Sequence, residues 1–184
     1  MKSKSRPQIL ARSLSGSYSA QGCRFALVTS RFNQFITERL LAGALDGLQR
    51  MGAQAQDLQV IRTPGAFEIP VAARRAAASG RYHAIICLGL ILRGETPHFD
   101  YISREVTRGI GQSAQETGVP HSFGVLTCET LEEAIDRAGL KAGNKGLEAA
   151  QAAVEMANLF RAMSGPHPVA VKKTKTRNSR KRKT

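Results

Sequence analysis

Ala84–Asp100 reads AIICLGLILRGETPHFD, and this stretch decides the architecture. Its apolar half runs from Ala84 to Leu92 without alternation, the pattern of a strand buried on both faces in a parallel sheet covered by helices. It empties with no spacer into a polar turn, Arg93-Gly94-Glu95-Thr96-Pro97-His98. In open parallel sheets, ligands bind in the crevice at the carboxyl ends of the strands. The turn therefore brings a glycine, a hydroxyl and a titratable imidazole to the place where such folds do chemistry.

Outward from this strand the chain alternates. Arg24–Thr29 (RFALVT) reads as a strand, followed by a helical pattern over Phe35–Met51 that stops at Gly52. Leu58–Arg62 reads as the next strand, and Glu68–Ser79 as a helix whose start is fixed by Pro70, tolerated only in a first turn. Beyond the opening stretch come a helix over Phe99–Thr117 and a strand over Ser122–Thr127. The capping-box pattern Thr130-Leu131-Glu132-Glu133 opens a helix ending near Gly139, and Leu147–Met163 forms a long last one. Strands alternating with helices imply right-handed crossovers and a doubly wound parallel sheet.

The 184 residues suit one domain with loose ends. The net charge of +13 is unevenly placed, because Lys172–Thr184 carries eight Lys/Arg and Met1–Arg12 four, neither with an acid. The chain between them holds 15 basic against 14 acidic residues and is almost neutral. The expected organisation is a basic arm over 1–15, a folded domain over 16–165 and a disordered basic tail over 166–184. No apolar run is long enough to span a bilayer, and the N-terminus lacks the apolar core of a signal peptide. Cys23, Cys87 and Cys128 are odd in number and widely spaced, which suits reduced, packed thiols in a cytoplasmic protein better than disulfides or a zinc site.

Three strand ends converge on one sheet edge. They are Ser30-Arg31-Phe32-Asn33, then Thr63-Pro64-Gly65-Ala66-Phe67-Glu68, then the opening turn. Phe32 and Phe67 either stack on a flat ring, with Glu68 accepting hydrogen bonds from it, or merely cover helix ends while Glu68 favours a helix N-terminus. His98 alone would pass for a capping or surface residue. The convergence is what favours chemistry, and His83, His121 and His167 lack such company. Neither the glycine-rich dinucleotide turn nor a Walker GxxxxGK[ST] is present, so a nucleotide cofactor is disfavoured. A phosphate suits the backbone N–H groups of Gly94-Glu95-Thr96 ahead of a helix, provided the Glu95 carboxylate points away. Arg137, Lys141 and Lys145 offer positive charge, or are ordinary helix-end cations.

With these ends assembled, the chain resembles the lumazine synthase family. The resemblance rests on SRFN (30–33), PGAFEIP (64–70), LRGETPHFDY (92–101), FGVLT (123–127), AIDRAGLKAGNKG (134–146) and EMANL (155–159), in the family's order and spacing. It implies a flavodoxin-like three-layer sandwich around a central four-stranded parallel sheet. It also implies condensation of a ribitylamino-substituted aminouracil with dihydroxybutanone phosphate, with no metal or organic cofactor. By motif position, Phe32 would stack on the pyrimidine, Ala66, Phe67 and Glu68 would hold its ring and ribityl chain, and Leu90, Ile91 and Leu92 would line its edge. Glu95 and Thr96 would hold phosphate through their N–H groups and His98 would move protons. Arg137 would bind the same phosphate and Phe123 would close over the pyrimidine, both from a neighbouring subunit, with Lys145 a further pocket contact.

The resemblance further implies a homopentamer. The short AGLKAGNKG connection resembles that of members whose pentamers pack into a 60-subunit icosahedral shell, and riboflavin synthase is a partner to test. The tail AVKKTKTRNSRKRKT is no part of the family pattern. It is either a solvated extension or a polyanion-binding arm acting multivalently, without aromatics to read bases. Two other functions remain on the same scaffold: a non-catalytic lumazine or flavin carrier, and a polyanion-binding protein.

Overall fold

A computed structural model describes residues 13–165. The expected basic tail and all but the last three residues of the expected N-terminal arm lie outside them. Four parallel strands, β1 (Phe25–Ser30), β2 (Leu58–Thr63), β3 (Ala84–Leu92) and β4 (His121–Cys128), form one sheet in the order β2-β1-β3-β4. Helices α1 (Gln34–Arg50), α4 (Leu131–Arg137) and α5 (Lys145–Ser164) cover one face. Helices α2 (Ile69–Ala77) and α3 (His98–Thr117) cover the other. This is the expected flavodoxin-like sandwich.

The unbroken apolar runs are explained by the two cores. On β1, Phe25 and Leu27 face α1 and α5 while Ala26 and Val28 face α2, and on β3 Ile86 and Leu88 alternate with Ile85 and Cys87 in the same way. Every residue of β1 is buried, whereas in edge strand β2 only Thr63 is. Strand β3 has the bounds read from sequence, because burial on both faces leaves no polar residue to blur its ends. Burial pushes the Cys87 thiol up to about 12, and Cys23 and Cys128 are buried and free as well.

Two local features depart from the sequence reading. Helix α4 ends at Arg137, and an unexpected small antiparallel ladder follows, β5 (Ala138–Leu140) with β6 (Gly143–Asn144). Gly139 (φ 120°) and Gly143 (φ 74°) take the left-handed backbone that closes it. Helix α5 then starts at Lys145, two residues before the expected Leu147. The Asn144 side chain makes this possible, its Oδ1 accepting from the N–H groups of Gly146 (2.8 Å) and Leu147 (3.1 Å). Gly146 is a weak helix former, but a Cβ at this position would lie 2.0 Å from the Leu40 carbonyl oxygen of α1. The expected Thr130 cap is present, Oγ1 accepting from Glu133 N–H at 3.2 Å, while Glu133 reaches back to Glu129 N–H.

Two histidines without a role at the site sit neutral in the fold. His121 Nδ1–H donates to the Val119 carbonyl at 2.8 Å, leaving Nε2 to accept from Ser113 Oγ at 2.9 Å. Burial pulls its pKa down, and burial with the nearby Arg24 and Arg161 charges does the same for His83. Unfolded imidazoles take up a proton near pH 6.5 that these refuse, so each costs at most about 1.4 kcal/mol of stability per pH unit as pH falls below that value. The denaturant midpoint is expected to fall between pH 7 and pH 5 and to fall less steeply in His121→Gln. A midpoint flat over that window would contradict this.

Candidate active site

The strand order reverses between β1 and β3, and the crevice at the carboxyl ends of these strands is the expected ligand position in such a sheet. A cleft of about 570 Å³ opens there. It is lined from three strand ends: Phe32 and Asn33 after β1, Gly65–Glu68 after β2, and Leu90–Gly94 with Thr96 and His98 at and after β3.

Each end is held by its own bonds. The β1–β2 ladder continues past the strands, with Arg31 N–H on the Thr63 carbonyl (2.8 Å) and Phe32 N–H on that of Pro64 (3.0 Å). This fixes Phe32 beside the second loop. Asn33 then adopts φ 60°, the one left-handed non-glycine among the described residues, and its carbonyl accepts from Ile36 and Thr37 at the start of α1. Asparagine tolerates that conformation better than most residues. In the second loop Glu68 Oε2 accepts from Gly65 N–H at 2.9 Å, and Thr63 Oγ1 donates to the Gly65 carbonyl at 2.9 Å. The Glu68 carboxylate therefore braces its own loop while Glu68 lines the cleft.

Phe32 is 69% exposed and Phe67 55% exposed. Neither is spent on the core, so the cleft keeps two aromatic faces for a flat ring. His98 is the first residue of α3, exposed at the cleft wall. Between it and β3, none of the backbone hydrogen bonds among the described residues uses the N–H of Gly94, Glu95 or Thr96. Three consecutive unbonded donors ahead of a helix are suited to take an anion.

Nine of the residues singled out from sequence meet here: Phe32, Ala66, Phe67, Glu68, Leu90, Ile91, Leu92, Thr96 and His98. Glu95 stands in the turn but does not line the cleft. Phe123, Arg137 and Lys145 meet elsewhere, around a separate cavity of about 360 Å³ between β4 and α5. Arg137 donates to the Glu133 carbonyl (3.1 Å), while Lys145 is already paired with Glu148 (2.7 Å). Sequence reasoning gave no role to Asn33, Arg93, Phe99 and Ile102, which also line the cleft. Ile102 had a usable signal, since it lies four residues past His98 on one helical face.

Residues 22–161 match the family model described as 6,7-dimethyl-8-ribityllumazine synthase. The chain belongs to this family. Among proteins named 6,7-dimethyl-8-ribityllumazine synthase, that of Syntrophus aciditrophicus is 56% identical over 146 residues, 79% of this chain and 95% of that protein. Those of Chlorobaculum tepidum and Chlorobium phaeobacteroides are 56% and 55% identical over 150 residues, each match covering 82% of this chain and 97% of the relative. The family match stops at residue 161, short of the basic tail, and holds both cavities. Among the described residues no group of three or more His, Cys, Asp or Glu could hold a metal ion, and no helix is long and apolar enough to cross a membrane.

Proposed function

We infer that the protein carries out its family's reaction. It condenses 5-amino-6-(D-ribitylamino)uracil with 3,4-dihydroxy-2-butanone 4-phosphate, giving 6,7-dimethyl-8-ribityllumazine, phosphate and water in riboflavin biosynthesis. The observation that carries this reading is the cleft at the strand-order reversal. In a chain matching its relatives over 95–97% of their length, that cleft joins two free aromatic faces, a carboxylate, an anion seat and an imidazole. Absorbance of the product, followed with both substrates on full-length protein and on protein lacking residues 166–184, tests it. Product formed equally by both forms supports the enzyme and confines the tail to an accessory role. No product from either rejects the enzyme in favour of a carrier.

In this reading Phe32 stacks on the pyrimidine, and Ala66, Phe67 and Glu68 hold the ring and ribityl chain. The backbone of Leu90–Leu92 meets the pyrimidine edge. The N–H groups of Glu95 and Thr96 hold the phosphate of the second substrate, so the Glu95 carboxylate is not required in the cleft. The amine attacks the ketone, one water leaves to give an imine, phosphate is expelled, tautomerisation follows, and ring closure of the ribityl nitrogen onto the remaining carbonyl releases a second water. His98 moves protons in these steps, where imidazole is suited to neutral pH. Positioning of the two substrates supplies much of the rate. His98→Ala is therefore expected to lower kcat about 10²-fold without abolishing it, near the low end for a lost acid–base group. Unchanged turnover would remove the proton-transfer role.

The reading needs a second subunit. Arg137, Phe123 and Lys145 lie apart from the cleft in one chain, and a ring of subunits that presents them to a neighbour's cleft completes the site. We read the assembly as a homopentamer, the ring the family resemblance implies, acting in the cytoplasm. The short hairpin between Arg137 and Lys145 is compatible with packing of twelve pentamers into a shell, for which a solution mass of 60 chains is the test. A mass of five chains rejects the shell and leaves the enzyme intact. Co-sedimentation with riboflavin synthase tests that partner.

The tail beyond the family match is read as a nonspecific polyanion arm. Its eight Lys/Arg in 13 residues would bind with a steep salt dependence, lost on deletion.

A further inference from the structure

We propose that Arg93 is a positioning residue that holds the anion seat and His98 in register. The inference rests on the function proposed above and goes beyond it, because it assigns work to a side chain that this reading leaves idle.

The turn from Gly94 to Pro97 has little to hold it. Its flanking backbone bonds are Arg93 N–H on the Cys128 carbonyl (3.0 Å) and Asp100 N–H on that of Pro97 (3.0 Å). A Cβ built on Gly94 meets nothing within 4 Å, so packing does not restrain the turn there. The Arg93 side chain closes this gap from the strand side. Its Nη1 and Nη2 each donate to one Asp100 carboxylate oxygen at 3.3 Å, its Nε donates to Glu129, and its guanidinium lies 4.1 Å from the centre of the Phe99 ring. One planar group thus ties three elements: the end of β3, the first turn of α3, and the residue after β4.

Three of the four contacts fall on Phe99 and Asp100, the residues that follow His98. The guanidinium's fixed fork suits this work, since a lysine ammonium could meet one carboxylate but could not hold the fork and the ring face together. All three charged groups are at least a third exposed, and exposed ion pairs add little to global stability. The effect of the staple is therefore local. It keeps the free N–H groups and the imidazole within the few tenths of an ångström that a positioned reaction requires.

Arg93→Met tests this, because it keeps an apolar stem of similar length against Phe99 and removes the fork. Turnover is expected to fall roughly tenfold, with KM for the ribityl substrate within about twofold of wild type and melting temperature nearly unchanged. Arg93→Lys is expected to recover part of the loss. Asp100→Asn added to Arg93→Met is expected to cost nothing more, since the partners act as a unit. Amide hydrogen exchange over residues 93–98 should rise in Arg93→Met while that of β3 stays slow. Unchanged turnover with unchanged exchange overturns the proposal. So does a loss that tracks a large fall in melting temperature and raises both KM values, which would mark a merely structural residue. Because exchange needs no catalysis, a wild-type protein that made no product would reject the proposed function and leave the staple separately tested.

Discussion

Arg137→Ala is expected to lower kcat/KM by roughly 10²- to 10³-fold, with KM rising for the phosphate-bearing substrate and changing little for the pyrimidine. The magnitude follows from the loss of two charge-assisted hydrogen bonds to a phosphate, about 3–4 kcal/mol together. Little of this reflects stability. Among the described residues the Arg137 guanidinium has one hydrogen-bond partner, the Glu133 carbonyl a turn earlier on its own helix. The melting temperature should therefore stay within a few degrees. A further outcome separates a shared site from one completed within a chain. When Arg137→Ala and His98→Ala subunits are co-assembled at equal amounts, a cyclic ring regains intact sites at about a quarter of its interfaces, because an unaltered cleft meets an unaltered arginine there. Recovery to about a quarter of wild-type activity supports sharing between neighbours. Activity no higher than the average of the two variants rejects it.

Asn144→Asp is expected to destabilise the domain more than any substitution at the cleft. The Asn144 amide makes four hydrogen bonds. Its oxygen accepts from Gly146 and Leu147, and its nitrogen donates to the carbonyls of Arg39 (2.9 Å) and Ala138 (3.1 Å). An aspartate keeps the two accepted bonds and turns the donor end into a charged oxygen facing two carbonyl oxygens. Leaving those groups unpaired and opposed costs about 3 kcal/mol. For a domain of this size that corresponds to a fall in melting temperature of about 6–12 °C. Relief by outward rotation of the side chain is opposed by Gly43 of α1, where even an added Cβ would lie 2.4 Å from the Asn144 side chain. Thermal unfolding at fixed protein concentration checks this, and a melting temperature within 2 °C of wild type would contradict it. The same substitution should lower activity before it unfolds the chain, because Asn144 anchors the hairpin between Arg137 and Lys145.

What could be read without coordinates follows the physics of each segment. Strand β3 was legible because burial on both faces demands an uninterrupted apolar run, and Thr130 because a cap needs one hydroxyl at one spacing. The cleft was legible for a related reason: Phe32 and Phe67 stand where no core needs them. The β5–β6 hairpin was not, since its cause is a pair of left-handed glycines and an Asn144 amide anchored on the Arg39 carbonyl of α1, distant in sequence. The early start of α5 was hidden likewise, because Gly146 owes its place to the carbonyl of Leu40 rather than to helix propensity. Arg93 was the largest omission. In sequence it is one cation beside a glycine; its partners Asp100 and Glu129 lie 7 and 36 residues away, Glu129 brought alongside by the parallel pairing of β3 with β4 and Asp100 by the turn into α3.

The burial of all three cysteines has a practical consequence. The chain's whole complement of sulfhydryls lies inside the described domain, at Cys23, Cys87 and Cys128, and none is open to a reagent in solution. A maleimide or aromatic disulfide added to native protein should thus report nothing until the sandwich opens, and then report all three positions. Labelling then counts molecules that have come apart, which makes the native chain its own clock for unfolding. A single cysteine introduced on the surface would be the sole address for a probe.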